Sequence, residues 1–164
     1  MTERTADLRA SLTVMSEGFR KLNASPGAWM MAEFVLRAGI DCTAQALPSI
    51  YRRRMPKQCF ANTAALVRRA KGLTYVEGFT MCPRVPFPVH HAWAINVDNE
   101  VIDLTLSDPE LCSYCGVTFT RGEYEAATRT GRGGKSASAL LDWVGCIRAD
   151  MMTTRCPDLI GLMP

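Results

Sequence analysis

The chain has 164 residues, 48% of them hydrophobic and 21% charged, with a formal net charge of +3. That is the length of one domain with an ordinary globular balance, which excludes a disordered chain and leaves enough apolar surface for a single core. No apolar run approaches the roughly 20 residues of a membrane span. The opening MTERTADLRASL lacks an apolar stretch followed by a small-residue cleavage site, so the expectation is a cytoplasmic protein without a membrane segment.

Residues 5–22 set Leu8, Leu12, Met15 and Phe19 at steps of three and four, which predicts an amphipathic helix. Asn23, Ser25, Pro26 and Gly27 break it. Ser25 and Pro26 then suit the cap and first turn of a second helix running to about Arg37 and stopped by Gly39. A third short helix is expected over 43–53, interrupted by Pro48. After Pro56, the Ala-rich stretch KQCFANTAALVRRAKG ends at Gly72 and predicts a central helix with Cys59 at its N-terminus.

Beyond Gly72 the pattern changes to short runs rich in aromatic and β-branched residues. LTYVEGFT, HHAWAINV, EVIDLTL and VTFT at 117–120 read as strands. The second and third are joined by a hairpin at Asp98–Asn99. RTGRGGKS at 129–136 reads as a basic loop and SALLDWVGCIRADMM as a closing helix. The order predicts a single α+β domain over 1–164: a helical part at 1–55, a core at 56–120 and a loop with a C-terminal helix at 121–164. Its helices would pack on an antiparallel sheet of three to five strands.

There are seven cysteines. The odd number, irregular spacing and missing export signal favour reduced thiols over a disulfide framework. Cys112 and Cys115 form a CxxC pair, but zinc would need further ligands from Cys82, Cys146, Cys156 or a histidine, all irregularly spaced. Two ordinary thiols near a strand end are preferred, and neither a metal nor another cofactor is expected. From Asp41 to Glu77 no acidic residue intervenes, while Arg52, Arg53, Arg54, Lys57, Arg68, Arg69 and Lys71 all fall there. Such a block creates a local positive field that supports a thiolate or an anionic partner. The pI of about 8.5 is low for a dedicated nucleic-acid domain, so nucleic acid is not the favoured partner.

A thiol nucleophile needs a stabilised anion, a base within hydrogen-bond reach and a group that fixes the base. Cys59 at a helix start in an acid-free stretch, His91 on one strand and Asp103 on the next supply these in order. His90 competes with His91; it points to the other face of the strand, and the following Ala-Trp favours His91. Gln58 is a candidate oxyanion donor beside the Cys59 backbone N–H. Asn62 and Glu77 are polar residues in apolar runs, expected to brace the site. Trp93 is read as core.

KQCFANTA, YVEGF, VHHAW and VIDLT, in this order over about 57–120, resemble the papain-like superfamily. The likeness is greatest to its transglutaminase-like and arylamine-N-acetyltransferase-like branches, and to a group of small bacterial and phage-associated proteins. The resemblance implies a Cys59–His91–Asp103 triad and a thiol hydrolase or acyltransferase acting on a peptide, isopeptide or side-chain amide. A non-catalytic binding protein is the alternative. The hairpin tests the triad. A two-residue turn at Asp98–Asn99 would pair His91 with Leu106 and put His91 and Asp103 on opposite faces. The triad therefore predicts an odd-length loop, at about 95–99, or a bulge.

Overall fold

The computed structural model describes residues 3–22, 26–124 and 155–156. The basic loop at 129–136 and the helix expected at 138–152 lie outside them. The fold is α+β, with helices on one face of a five-stranded antiparallel sheet.

Helix α1 (Glu3–Lys21) buries Leu8 and Leu12 completely and half-buries Met15 and Phe19, the stripe that its spacing dictates. Helix α2 (Pro26–Ala38) has Pro26 at its first turn and buries Met30, Met31, Ala32, Phe34 and Val35. Arg9 on α1 donates to the Leu36 and Gly39 carbonyls and to Asp41 Oδ1 at 2.8 Å. A cation thus satisfies carbonyls that a helix C-terminus leaves unpaired, and it locks α1 to the end of α2.

Strand β1 (Ile40–Cys42) follows directly, three residues that were not expected as a strand. No helix forms over 43–53. The chain there is irregular, with Thr43 bridged to Glu100 and a turn closed by Tyr51 N–H on the Pro48 carbonyl. Pro48 has no N–H to give a helix, and Leu47 and Tyr51 instead pack against Ala94, Ile102 and Leu104.

Helix α3 (Cys59–Arg69) packs on strand β3 (Val85–Ile95), and strand β2 (Thr74–Cys82) is β3's hairpin partner. Strand β4 (Val101–Ile102) pairs with the end of β3, and strand β5 (Ser113–Phe119) pairs with β2 and β1. The sheet order is β1-β5-β2-β3-β4. Pro86 and Pro88 sit in the part of β3 that β4 does not reach, an open edge that needs no N–H donor.

The two faces carry different clusters. Tyr75, Glu77, Phe79, His90, Ala92 and Ala94 share the helix-covered face, while Val76, Thr80, His91, Trp93 and Tyr114 share the other. Gly78 and Gly116 face each other across β2 and β5, and a Cβ on Gly116 would lie 2.6 Å from the Trp93 ring. The absence of a side chain at Gly116 leaves room for the Trp93 ring. Among the described residues no helix is long and apolar enough to cross a membrane.

Candidate active site

Pro56 and Lys57 turn the chain into α3, Lys57 with φ 62°, the left-handed conformation a side chain seldom adopts. Gln58 caps the helix by position only, with its exposed side chain making no cap bond. Cys59 is thus the first helical residue, and its side chain is 7% exposed. The helix dipole and free N–H groups of this turn favour an anion. Thr63 Oγ1 donates to the Ala92 carbonyl at 3.0 Å, fixing α3 against β3 one turn below the cysteine.

His91 comes from the middle of β3 and Asp103 from just beyond β4. The hairpin joining the strands has the odd length the triad needs. Asn96 and Glu100 close a three-residue loop, Val97-Asp98-Asn99, with Asn99 at φ 62°. Asn99 N–H returns to the Asn96 carbonyl, and Asn96 Oδ1 accepts from the N–H groups of Asp98 and Glu100. This is a turn followed by a left-handed residue, the usual three-residue hairpin. It is centred on Asp98, one residue later than expected, so Ala94 pairs with Ile102 and Ile95 with Val101. Asp103 then falls beside Trp93, on the same face as His91.

His91 Nε2 lies 2.7 Å from Asp103 Oδ2, and both side chains are buried. The strand ends at Asp103 because its Oδ1 accepts from the N–H groups of Thr105 and Leu106, at 2.7 and 3.2 Å, folding the chain away. One carboxylate therefore both terminates the strand and orients the imidazole. Burial by itself would raise the Asp103 carboxyl, but the His91 charge and these bonds hold it below its ordinary value. For His91, burial disfavours the charged ring, yet the Asp103 charge and hydrogen bond outweigh this, and the nearby Cys59 sulfur also favours the charged form. The imidazole is pushed up to about 9. With Nε2 engaged by Asp103, the other ring nitrogen is the one left for the sulfur.

Comparison with protein-family models, curated proteins and solved structures finds no match.

Of the remaining candidates, Asn62 lies beside the site, whereas Glu77, expected to brace it, belongs to a separate network with His90. Asn62 Nδ2 donates to the Met55 carbonyl and Thr105 Oγ1, at 2.9 and 3.1 Å, stitching the α3 entry loop to the turn after Asp103. Asn62→Ala removes both bonds and is expected to cost about 2 kcal/mol in urea unfolding. A loss under about 0.5 kcal/mol would show that the stitch carries no weight. Trp93 is fully buried and stacks on His91, with centroids 6.3 Å apart and planes 17° apart, so it sets the ring's plane.

Glu77 is completely buried on the opposite face, accepting from Tyr75 at 3.0 Å and lying 3.0 Å from His90 Nε2. His90 also packs on Phe60 of α3, with ring centroids 5.0 Å apart. The two histidines thus head separate networks, and His91 is the one whose charged form the Cys59 sulfur favours. Tyr114 was not anticipated. Its hydroxyl donates to Asp103 Oδ2 at 3.0 Å, and burial, then the Asp103 charge, keep it protonated far above the ordinary tyrosine range. It stands inside the CxxC, where the cysteines hold the eye; its strand position opposite Thr80 was the available signal.

The expectation of reduced thiols fails at one pair: Cys82 and Cys112 form a disulfide, with Cα atoms 4.3 Å apart. The reason is register, since Met81 pairs with Ser113 and the next positions outward are Cys82 and Cys112. Cys115, the other half of the CxxC, lies on the helix-covered face in a different core cluster from Cys112. Among the described residues no group of His, Cys, Asp and Glu gathers as a metal site. Burial pushes the Cys42 and Cys115 thiols up to about 12 each. Arg52, Arg53, Arg54, Lys57, Arg68, Arg69 and Lys71 are all exposed, before α3, in its last turn and just after it.

Proposed function

We propose that the chain is a cysteine-dependent hydrolase or acyltransferase of the papain-like, transglutaminase-like kind, acting on an amide or related acyl bond. One observation carries the reading: a buried His91–Asp103 pair at 2.7 Å, with Cys59, the first residue of a helix, near enough to favour the charged imidazole.

The Cys59 sulfur attacks the carbonyl carbon, forming a C–S bond as the carbonyl π pair moves to oxygen. The Cys59 backbone N–H and the exposed Gln58 amide stabilise that oxyanion. The oxyanion collapses, the C–N bond breaks, and the imidazolium of His91 gives its proton to the departing nitrogen. A thioester remains on Cys59. Neutral His91 then takes a proton from water or an amine, which attacks the thioester and restores the thiolate. Asp103, braced by Tyr114 and two backbone N–H groups, holds the ring through both steps.

Trapping the thioester tests this. Brief exposure to p-nitrophenyl acetate followed by acid quench should leave one acetyl group on Cys59 by peptide mass mapping. With an anilide donor, whose leaving nitrogen needs a proton, turnover should decline as pH rises through about 9, where His91 loses its charge. Acetylation spread over lysines, with none on Cys59, would defeat the reading.

A further inference from the structure

A cleft of about 390 Å³ opens on the face of the sheet that α3 does not cover. That is within the usual range of small-ligand pockets, about 300–1,000 Å³. Val85, Val89, Leu106 and Leu111 line it together with the Cys82–Cys112 disulfide. Val85, Val89 and Leu111 are each more than a third exposed, at 37%, 38% and 44%, so the cleft offers apolar surface to a ligand. Of its charged groups, Arg84 and Asp108 pair with each other at 3.5 Å, and His91 is paired with Asp103 at 2.7 Å. Thr80 Oγ1 is spent on the Ser113 carbonyl. His91 lines this cleft, whereas Cys59 does not.

From this asymmetry we infer that the cleft is the leaving-group subsite, taking amides whose amine half carries a neutral aliphatic group. The inference rests on the Cys59–His91–Asp103 reading. The nitrogen that leaves must receive its proton from His91, so the half of the substrate beyond that nitrogen lies on the His91 side of the scissile bond. An apolar wall with an internally neutralised rim selects an uncharged chain, because a charged one would lose hydration without gaining a partner. By reversibility, the same cleft receives the amine acceptor in acyl transfer.

N-alkylacetamides from N-methyl to N-hexyl serve as probes, with hexanamide as the reversed control. Binding to the full chain is followed by NMR at the His91 ring and the Val85, Val89 and Leu111 methyls. Affinity should rise about two- to fourfold per added methylene on the nitrogen side, and hexanamide should bind at least tenfold more weakly than N-hexylacetamide. Leu111→Asp and Val89→Asp alter exposed positions and should remove the gain, with an unchanged urea midpoint as the control for folding. Absence of chain-length dependence, or equal binding of hexanamide, overturns the subsite while leaving the triad standing. N-hexylacetamide binding to a chain whose Cys59 is inert overturns the leaving-group role together with the catalytic reading, and leaves only an apolar pocket.

Discussion

Replacing His91 should lower Cys59 alkylation by iodoacetamide at pH 7 by about 100-fold and amide turnover by about 10²–10⁴-fold, the range for loss of a general acid–base. Iodoacetamide needs no oxyanion donor or leaving-group proton, so its rate reports the thiolate alone. Cys42 and Cys115, pushed up to about 12 by burial, supply slow internal references. His91→Ala leaves Asp103 buried beside an empty space, and an unpaired buried charge costs about 3–5 kcal/mol. His91→Gln keeps a donor toward Asp103 and separates lost chemistry from lost folding. Undiminished alkylation in a folded His91→Gln chain would remove His91 from the mechanism.

The same pair sets a pH dependence of stability. The His91 pKa is raised from 6.5 to about 9, so its stabilisation is fully present below 6.5 and is lost as pH rises through about 9. Asp103 is lowered from 3.8, so seen from that side the contribution is present above 3.8 and is lost as pH falls through its depressed value. These are one interaction viewed from two partners, counted once, on the order of 3 kcal/mol. Urea unfolding across pH 6–10 should show the alkaline loss in the natural chain and not in His91→Gln.

Gly78→Ala should destabilise the fold by about 3 kcal/mol or more, which for this size lowers Tm by roughly 10 °C. A Cβ at Gly78 would sit 2.3 Å from the Cys115 carbonyl oxygen and 2.4 Å from the Gly116 Cα. Both obstacles are backbone, so no rotamer relieves them and β2 must part from β5. Gly116→Ala meets a side chain as well as the Glu77 carbonyl oxygen at 2.9 Å. Its nearest obstacle is the Trp93 ring at 2.6 Å, and Trp93 stacks on His91. Moving that ring should slow Cys59 alkylation as well as lower Tm. A Gly78→Ala chain within 1 kcal/mol of the parent would mean that the strands can spread.

Legibility in the sequence followed the range over which each feature is encoded. The α1 stripe and the ends of α3 are local, written in three- and four-residue steps, Pro56 and Gly72, and they form where expected. The helix expected at 43–53 is also a local reading, and it lost to Pro48 and to the packing of Leu47 and Tyr51. Strand β1 has three residues, too few to display alternation. The hairpin parity was deducible from the chemistry the triad demands, whereas its centre on Asp98 depends on Asn99 entering the left-handed region. Asp103 was legible as a partner for His91, but its second oxygen, which ends the strand, was not. Tyr114 and the Cys82–Cys112 bond arise from the pairing of β2 with β5 across some thirty residues, which no short window contains.

That bond changes how the protein must be handled at the bench. A reductant added to keep Cys59 free also cuts a wall of the cleft beside His91. A rate measured under thiol protection therefore mixes two effects with opposite signs. A Cys82→Ser, Cys112→Ser chain, assayed with and without dithiothreitol, separates the care of the nucleophile from the integrity of the pocket.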